Sequence, residues 1–394
     1  MYSSYFLPIL KQHLRMCSFL KGLPFEYDDE TGLVVKTRCH GTIIIFKLQC
    51  LLSVLYCSAM FLNLVIGPST LIEKLKGVIF FLMYFNTTIA RWNYSLDPTP
   101  IQVINSFLKY EATTLRGAQR SMPPSRSALA MTLYMRIVEI SIIFIPGMLI
   151  LILSYQPCLP PFILSMSRSC ESTYFTPWTC CHRVRKLMIV GVHLFETWMG
   201  LHIIVSGYTW LGFALFAGIT CIVHYFRILE REACAIFNSR DYEECISFYW
   251  QIQILEKILN SFLSAKIVPS TILTLPLHQI IAQYVCIKLH DEIPLPGFVV
   301  FPIILLEVLV VNILVFTLAS WVHNSSQDII QKLGGKLICP GRNVRLRRMI
   351  KACAVLKVKF GSNFVDRGTP LVIQDFCLGQ TLNLILIKGK KTYG

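Results

Sequence analysis

Seven apolar runs, each long enough or nearly so to cross a lipid bilayer, dominate this chain. A spanning helix needs roughly 20 mostly apolar residues, because the hydrocarbon core is about 30 Å thick and each helical residue rises about 1.5 Å. The runs are Thr42–Ile66, Gly77–Ala90, Ile137–Tyr155, Leu187–Tyr225, Ala265–His290, Gly297–Trp321 and Thr369–Ile387. Of 394 residues, 54% are hydrophobic and only 15% charged, where an average soluble domain carries about 25% charge. The same figures exclude solenoid, disordered, collagen-like and small disulfide-scaffold classes. The expected fold is all-α: a polytopic membrane protein of seven transmembrane helices.

Two runs are irregular. The second is short and reaches full length only by including Leu71–Lys76, with Lys74 and Lys76 snorkelling at the interface. The fourth holds a single carboxylate, Glu196, in 39 residues, and as one helix would extend about 58 Å, beyond the hydrocarbon. It either projects from the membrane or folds back at Ser206-Gly207.

The basic residues discriminate between these. With a cytoplasmic N-terminus and seven spans, 25 of the 37 Lys and Arg residues fall inside and 9 outside, a positive-inside pattern that leaves the C-terminus extracellular. Folding the fourth run into a hairpin reverses the balance, so one long helix is expected. The formal charge of +15 thus reports orientation, and nucleic acid has no place in the account. The run Tyr5–Leu10 is too short for a signal peptide and is followed by Lys11, His13 and Arg15. The sequons at Asn86, Asn93 and Asn324 fall within a span or inside, and are expected to stay unmodified.

The organisation that follows is a cytoplasmic segment 1–41, and spans one to four over 42–225 with an extracellular loop 156–186. A cytoplasmic amphipathic region 226–264, spans five and six over 265–321, a basic cytoplasmic loop 322–368, and the last span with its tail over 369–394 complete it. In the amphipathic region Ile246, Trp250, Ile254 and Ile258 share a face, which suits packing against the extension of the fourth span or another subunit. Cys158, Cys170, Cys180 and Cys181 share the outer loop, the one oxidising place, and are disulfide candidates with three possible connectivities; free thiols are the alternative. No cysteine or histidine cluster has metal spacing. Nucleophile-elbow, phosphate-loop, zinc-protease and dinucleotide motifs are absent, so neither an enzyme nor a cofactor is expected.

Seven spans also describe G-protein-coupled receptors, but those run with the N-terminus outside, and Ile152-Leu153-Ser154-Tyr155 stands where an Asp-Arg-Tyr motif belongs. The stretch Lys359-Phe360-Gly361-Ser362-Asn363-Phe364-Val365-Asp366 through Thr369-Pro370-Leu371, followed by Gln380-Thr381, resembles instead the final loop and last helix of the arthropod chemoreceptor superfamily of gustatory and odorant receptors. Gly22-Leu23-Pro24 is similar to the step these receptors carry before span one. The gustatory signature is only partly met, with Ile373-Gln374 in place of Thr-Tyr and Thr381 in place of Phe, which leaves the subfamily open.

The resemblance implies a ligand-gated cation channel in the plasma membrane, a homo- or hetero-tetramer with or without a co-receptor, whose last spans line a central pore. Gln380 matches the pore glutamine and Cys377 takes the gate position; Phe376 and Asn383 share a helix face with them. The implied pocket for a small organic ligand lies in the outer halves of spans two, three, four and six, where Tyr84, Tyr155, Glu196, Trp198, His202, Phe298 and Phe301 are candidate lining residues. Glu139 and Glu307 are further carboxylates within spans, without an assignable partner. A receptor signalling through a partner protein, or a transporter, is the alternative function.

Overall fold

The computed structural model describes residues 1–115, 126–166, 180–236, 238–293, 295, 297–336 and 344–389. Helices occupy all seven apolar runs. They are α2 (His40–Ile66), α3 (Leu71–Arg91), α5 (Arg126–Tyr155), α6 (Cys180–Tyr208), α9 (Val268–Lys288), α10 (Val300–Lys336) and α12 (Thr369–Gly389). Five helical segments are long and apolar enough to span by themselves, and a sixth is formed if the two bent halves of α5 count as one. Its bend of 48° falls at Ile145-Pro146, where proline withdraws an N–H from the helical ladder. Helix α3, with Glu73, Lys74, Lys76 and Arg91, is the apolar run that falls short of the length-and-hydropathy measure. Its start is nonetheless fixed by a capping box: Thr70 and Glu73 bond each other's backbone N–H.

The long fourth run is one helical rod. Helix α6 continues through the π-helical turns Thr209–Phe216 into α7 (Ala217–Cys234), and Leu187–Cys234 counts as a single 48-residue segment. Helix α8 (Ser239–Phe262) likewise runs through Leu263–Ile267 into α9, a second rod of 49 residues from Arg240. The expected amphipathic helix therefore exists, as an extension of span five packed against α7 and against α4 (Thr99–Thr114). Of the face the spacing gave, Ile246 is buried and Trp250 and Ile258 pack half-buried against the core, while Ile254 is 58% exposed. Tyr249, Ile252, Leu255 and Leu259, buried between α4 and α7, widen the buried side beyond that stripe.

The first 41 residues are also built into this end of the molecule. Helix α1 (Leu7–Phe19) is preceded by the turn Tyr2–Phe6 and followed by the hairpin β1 (Phe25–Asp28) and β2 (Leu33–Lys36). Tyr2 is fully buried; its hydroxyl donates to Phe213 O at 2.9 Å, and Glu111 of α4 accepts from the Tyr2 and Ser3 backbone. A short helix α11 (Val344–Lys351) and the two-residue strands β3 (Lys359–Phe360) and β4 (Asn363–Phe364) lead to α12. Tyr249 ties this segment down, contacting Ser326 Oγ at 2.7 Å and donating to Ala354 O at 2.7 Å.

Candidate functional site

Helices α3, α5, α6, α9 and α10 surround a cavity of about 380 Å³, within the range of small-molecule sites. Helix α10 presents Val300, Ile303, Ile304, Glu307, Val308 and Val311 to it, a stripe at the three- and four-residue steps of one helix face. Phe80, Met83 and Tyr84 come from α3, Tyr134 and Val138 from α5, and Tyr208 from the end of α6. The wall is mainly hydrocarbon and aromatic ring, with a few polar groups set into it.

Two of these polar groups are unpaired: Tyr84 Oη and Asn86 Oδ1 are buried and have no hydrogen-bond partner among the described residues. Buried groups without partners are costly, so a ligand able to bond them gains from doing so. Gly200 keeps the Tyr84 ring in place, because a Cβ there would lie 2.5 Å from its hydroxyl. His278, by contrast, is occupied. Its ring nitrogens lie 2.7 Å from Thr274 O and 3.1 Å from Ile79 O.

Of the seven candidate ligand residues, Tyr84 lines this cavity and the other six lie elsewhere. Glu196 is buried, accepting from the Tyr56 hydroxyl and, at 2.6 Å, from the Ile163 N–H of the segment after α5. The Trp198 and His202 rings meet at 4.5 Å between centres with their planes tilted by 34°, and His202 Nδ1 lies 2.8 Å from Trp198 O. Phe298 and Phe301 pack in an apolar cluster with Ile79 and Val285, and Tyr155 is exposed at the end of α5. The cavity residues that spacing did not single out come from all five helices. Only the α10 stripe carried a signal, a carboxylate amid aliphatic residues three and four apart.

The carboxylates Glu139 and Glu307 differ sharply. Glu139 of α5 meets His13 of α1, with Nδ1 3.0 Å from Oε2, while His13 Nε2 lies 2.8 Å from Thr209 Oγ1. Glu307 has no hydrogen-bond or ion-pair partner among the described residues and opens onto the cavity. Among the disulfide candidates, Cys158 is disulfide-bonded. Cys170 and the side chains of Cys180 and Cys181 lie outside the described residues.

Helix α12 packs chiefly against α9 and α10. Asp366 fixes its entry, accepting from the Thr369 hydroxyl at 2.6 Å and N–H at 2.8 Å. The Thr369 hydroxyl bond holds this carboxyl below its usual range. Within the span, Gln279 of α9 donates to Gln374 Oε1 at 2.8 Å and accepts from Asn312 of α10 at 2.8 Å. Thr381 donates to Gln283 Oε1 at 2.9 Å. Cys377 belongs to this packed side, fully buried with Sγ 3.8 Å from Pro276 O. Phe376, Gln380 and Asn383 lie together on the adjoining, exposed face, about 60–120° around the helix from Cys377. The structure therefore separates Cys377 from the other three pore candidates.

No protein-family profile matches this chain, and no curated protein does. Solved structures do. The insect olfactory receptor OR5 from Machilis hrabei in complex with eugenol superposes with a TM-score of 0.70 at 13% identity, over 98% of this chain and 99% of that one. The chain has the fold of an insect olfactory receptor. The same receptor without eugenol gives a TM-score of 0.63 at 12% identity, over 97% and 98% of the two chains. The likeness extends over nearly the whole length, so the long rods and the last helix are part of the shared plan of a multi-pass membrane protein.

Proposed function

We propose that this protein is a chemosensory receptor of the plasma membrane that conducts cations when a small organic molecule occupies the cavity between α3, α5, α6, α9 and α10. The cavity carries the reading: it has the volume, the apolar wall and the sparse unpaired polar groups of a small-molecule site, in a fold whose solved example holds eugenol. The N-terminus is cytoplasmic and the C-terminus extracellular. Four subunits, with or without a co-receptor among them, place the exposed side of α12 around a shared axis. Phe376, Gln380 and Asn383 then face the conduction path, and rings of neutral amides beside an apolar constriction suit the passage and gating of hydrated cations.

Coupling from pocket to pore is short. Leu275 and His278 line the cavity, and the next residue, Gln279, holds Gln374 of α12. Cys377, in contact with the carbonyl of Pro276, sets the rotation of α12 and so aims its neighbours at the axis. The test is whole-cell recording from cells expressing the chain, alone and with a co-receptor, during application of volatile aromatic compounds such as eugenol. Evoked cation current that Ile304→Trp suppresses at unchanged surface expression supports the reading. Current indifferent to that cavity-filling change overturns the pocket assignment.

A further inference from the structure

We propose that the cavity selects protonated amines, with the carboxylate of Glu307 as their counter-charge; this rests on the cavity being the ligand pocket. Glu307 occupies the middle of the α10 stripe that faces the cavity, between Ile304 and Val308 one side and Val311 beyond. It has no hydrogen-bond or ion-pair partner among the described residues, whereas the carboxylates of spans three and four each have one: Glu139 has His13, and Glu196 has Tyr56 and the Ile163 N–H. His278, the histidine in the same wall, makes no hydrogen bond or ion pair with it; its ring nitrogens lie 2.7 and 3.1 Å from the backbone carbonyls of Thr274 and Ile79.

A carboxylate at membrane depth is costly and marks a functional site whose partner has to be identified. Here the partner is absent from the protein and the carboxylate opens onto space for a small ligand. The surrounding rings, Phe80, Tyr84, Tyr134 and Tyr208, offer the faces to which an ammonium group is attracted. A protonated amine carrying an aromatic or aliphatic body would therefore meet a charge, π faces and an apolar wall together. A neutral molecule of the same shape would leave the carboxylate unmatched.

The experiment measures binding of 2-phenylethylamine and its neutral isostere 2-phenylethanol to the purified full-length protein in lipid nanodiscs at pH 7.4, by calorimetry. A hydrogen bond to a charged group exceeds a neutral one by enough for roughly tenfold or more in affinity. The expected result is that much preference for the amine, retained in Glu307→Asp and lost in Glu307→Gln, with the alcohol bound equally by all three. No amine preference in the unaltered protein, or a preference that survives in Glu307→Gln, overturns the amine assignment. In that case alcohol binding that Ile304→Trp abolishes leaves the pocket standing. Failure of both probes to bind, or binding untouched by Ile304→Trp, overturns the pocket and this inference together.

Discussion

Replacing Gln279 by leucine should loosen the last helix from the rest of the subunit. The amide of Gln279 makes two hydrogen bonds of 2.8 Å within the spans, one to Gln374 of α12 and one from Asn312 of α10. Inter-helical hydrogen bonds in membranes contribute about 0.6 kcal/mol on average and up to about 1.7. Losing these and the longer 3.3 Å bond that Gln374 donates back, and leaving the Gln374 and Asn312 amides unpaired, destabilises the docked α12 by about 1–3 kcal/mol, a five- to 150-fold shift in its equilibrium. Leucine fills a similar volume, so packing loss contributes little. The assay is a double-mutant cycle read by reversible unfolding in mixed micelles, with Gln279→Leu, Gln374→Leu and the pair. In the pair the two changed side chains face each other as hydrocarbon, so its loss should fall short of the sum of the singles by at least about 0.5 kcal/mol. Additivity within about 0.3 kcal/mol would show that the two glutamines do not communicate, and the pocket-to-pore path through Gln279 would have to be abandoned. In recordings, both single variants should shift the ligand concentration for half-maximal current more than the pair does.

Three shorter predictions follow from the geometry. Gly207→Leu should lower thermal stability and cell-surface yield, because a Cβ there would stand 2.6 Å from Thr87 Cβ and 2.7 Å from its carbonyl oxygen, and overpacking of this kind costs about 1–3 kcal/mol; unaltered stability would show that α3 and α6 can separate freely. Treatment of protein from secretory-competent cells with a glycosidase should leave its gel mobility unchanged, and a glycan on Asn93 or Asn324 would reverse the proposed orientation. Gln380→Ala should change single-channel conductance at normal surface expression, while Cys377→Trp, which has no room against Pro276, should reduce assembly; a Gln380→Ala channel with unaltered conductance and rectification would remove this residue from the pore.

What the sequence made legible is what depends on local composition. All seven apolar runs are helical, and the excess of one orientation over the other in Lys and Arg was enough to favour a continuous fourth rod, which the structure has from Leu187 to Cys234. Helix rotation was less accessible. A span that is apolar on every side carries no moment to say which residues face the neighbours, so Phe298 and Phe301 could not be told from the cavity residues Ile303 and Ile304 one turn away. In α8, which packs against both α4 and α7, Ile254 of the apolar stripe is exposed while Tyr249, Ile252 and Leu255 are buried. The burial of Tyr2, Phe6 and His13 was hidden for a different reason. Their partners Phe213, Glu111 and Glu139 lie at sequence separations on the order of one to two hundred residues, beyond the reach of any periodicity.

Glu139, Glu196 and Glu307 offer a measurable contrast between a structural and a ligand-binding carboxylate. Glu139 is held by His13 and Glu196 by Tyr56 and Ile163, so removing either strands a buried partner: breaking the Glu139–His13 ion pair costs about 3–5 kcal/mol, and leaving the Tyr56 hydroxyl and Ile163 N–H unsatisfied about 1–3 kcal/mol each. Glu307 strands nothing. In the ligand-free protein it is only a polar group exposed to an apolar wall, and such a residue near a span centre is unfavourable by about 2.5–3.5 kcal/mol on insertion scales. Glu307→Leu should therefore leave the ligand-free protein as stable as before or more stable by about 1–3 kcal/mol, while Glu139→Leu destabilises it. That ordering is the signature of a residue retained for binding at the expense of stability. If Glu307→Leu instead loses as much as Glu139→Leu in the same unfolding assay, Glu307 has a structural partner, and its carboxylate is not free to receive a ligand.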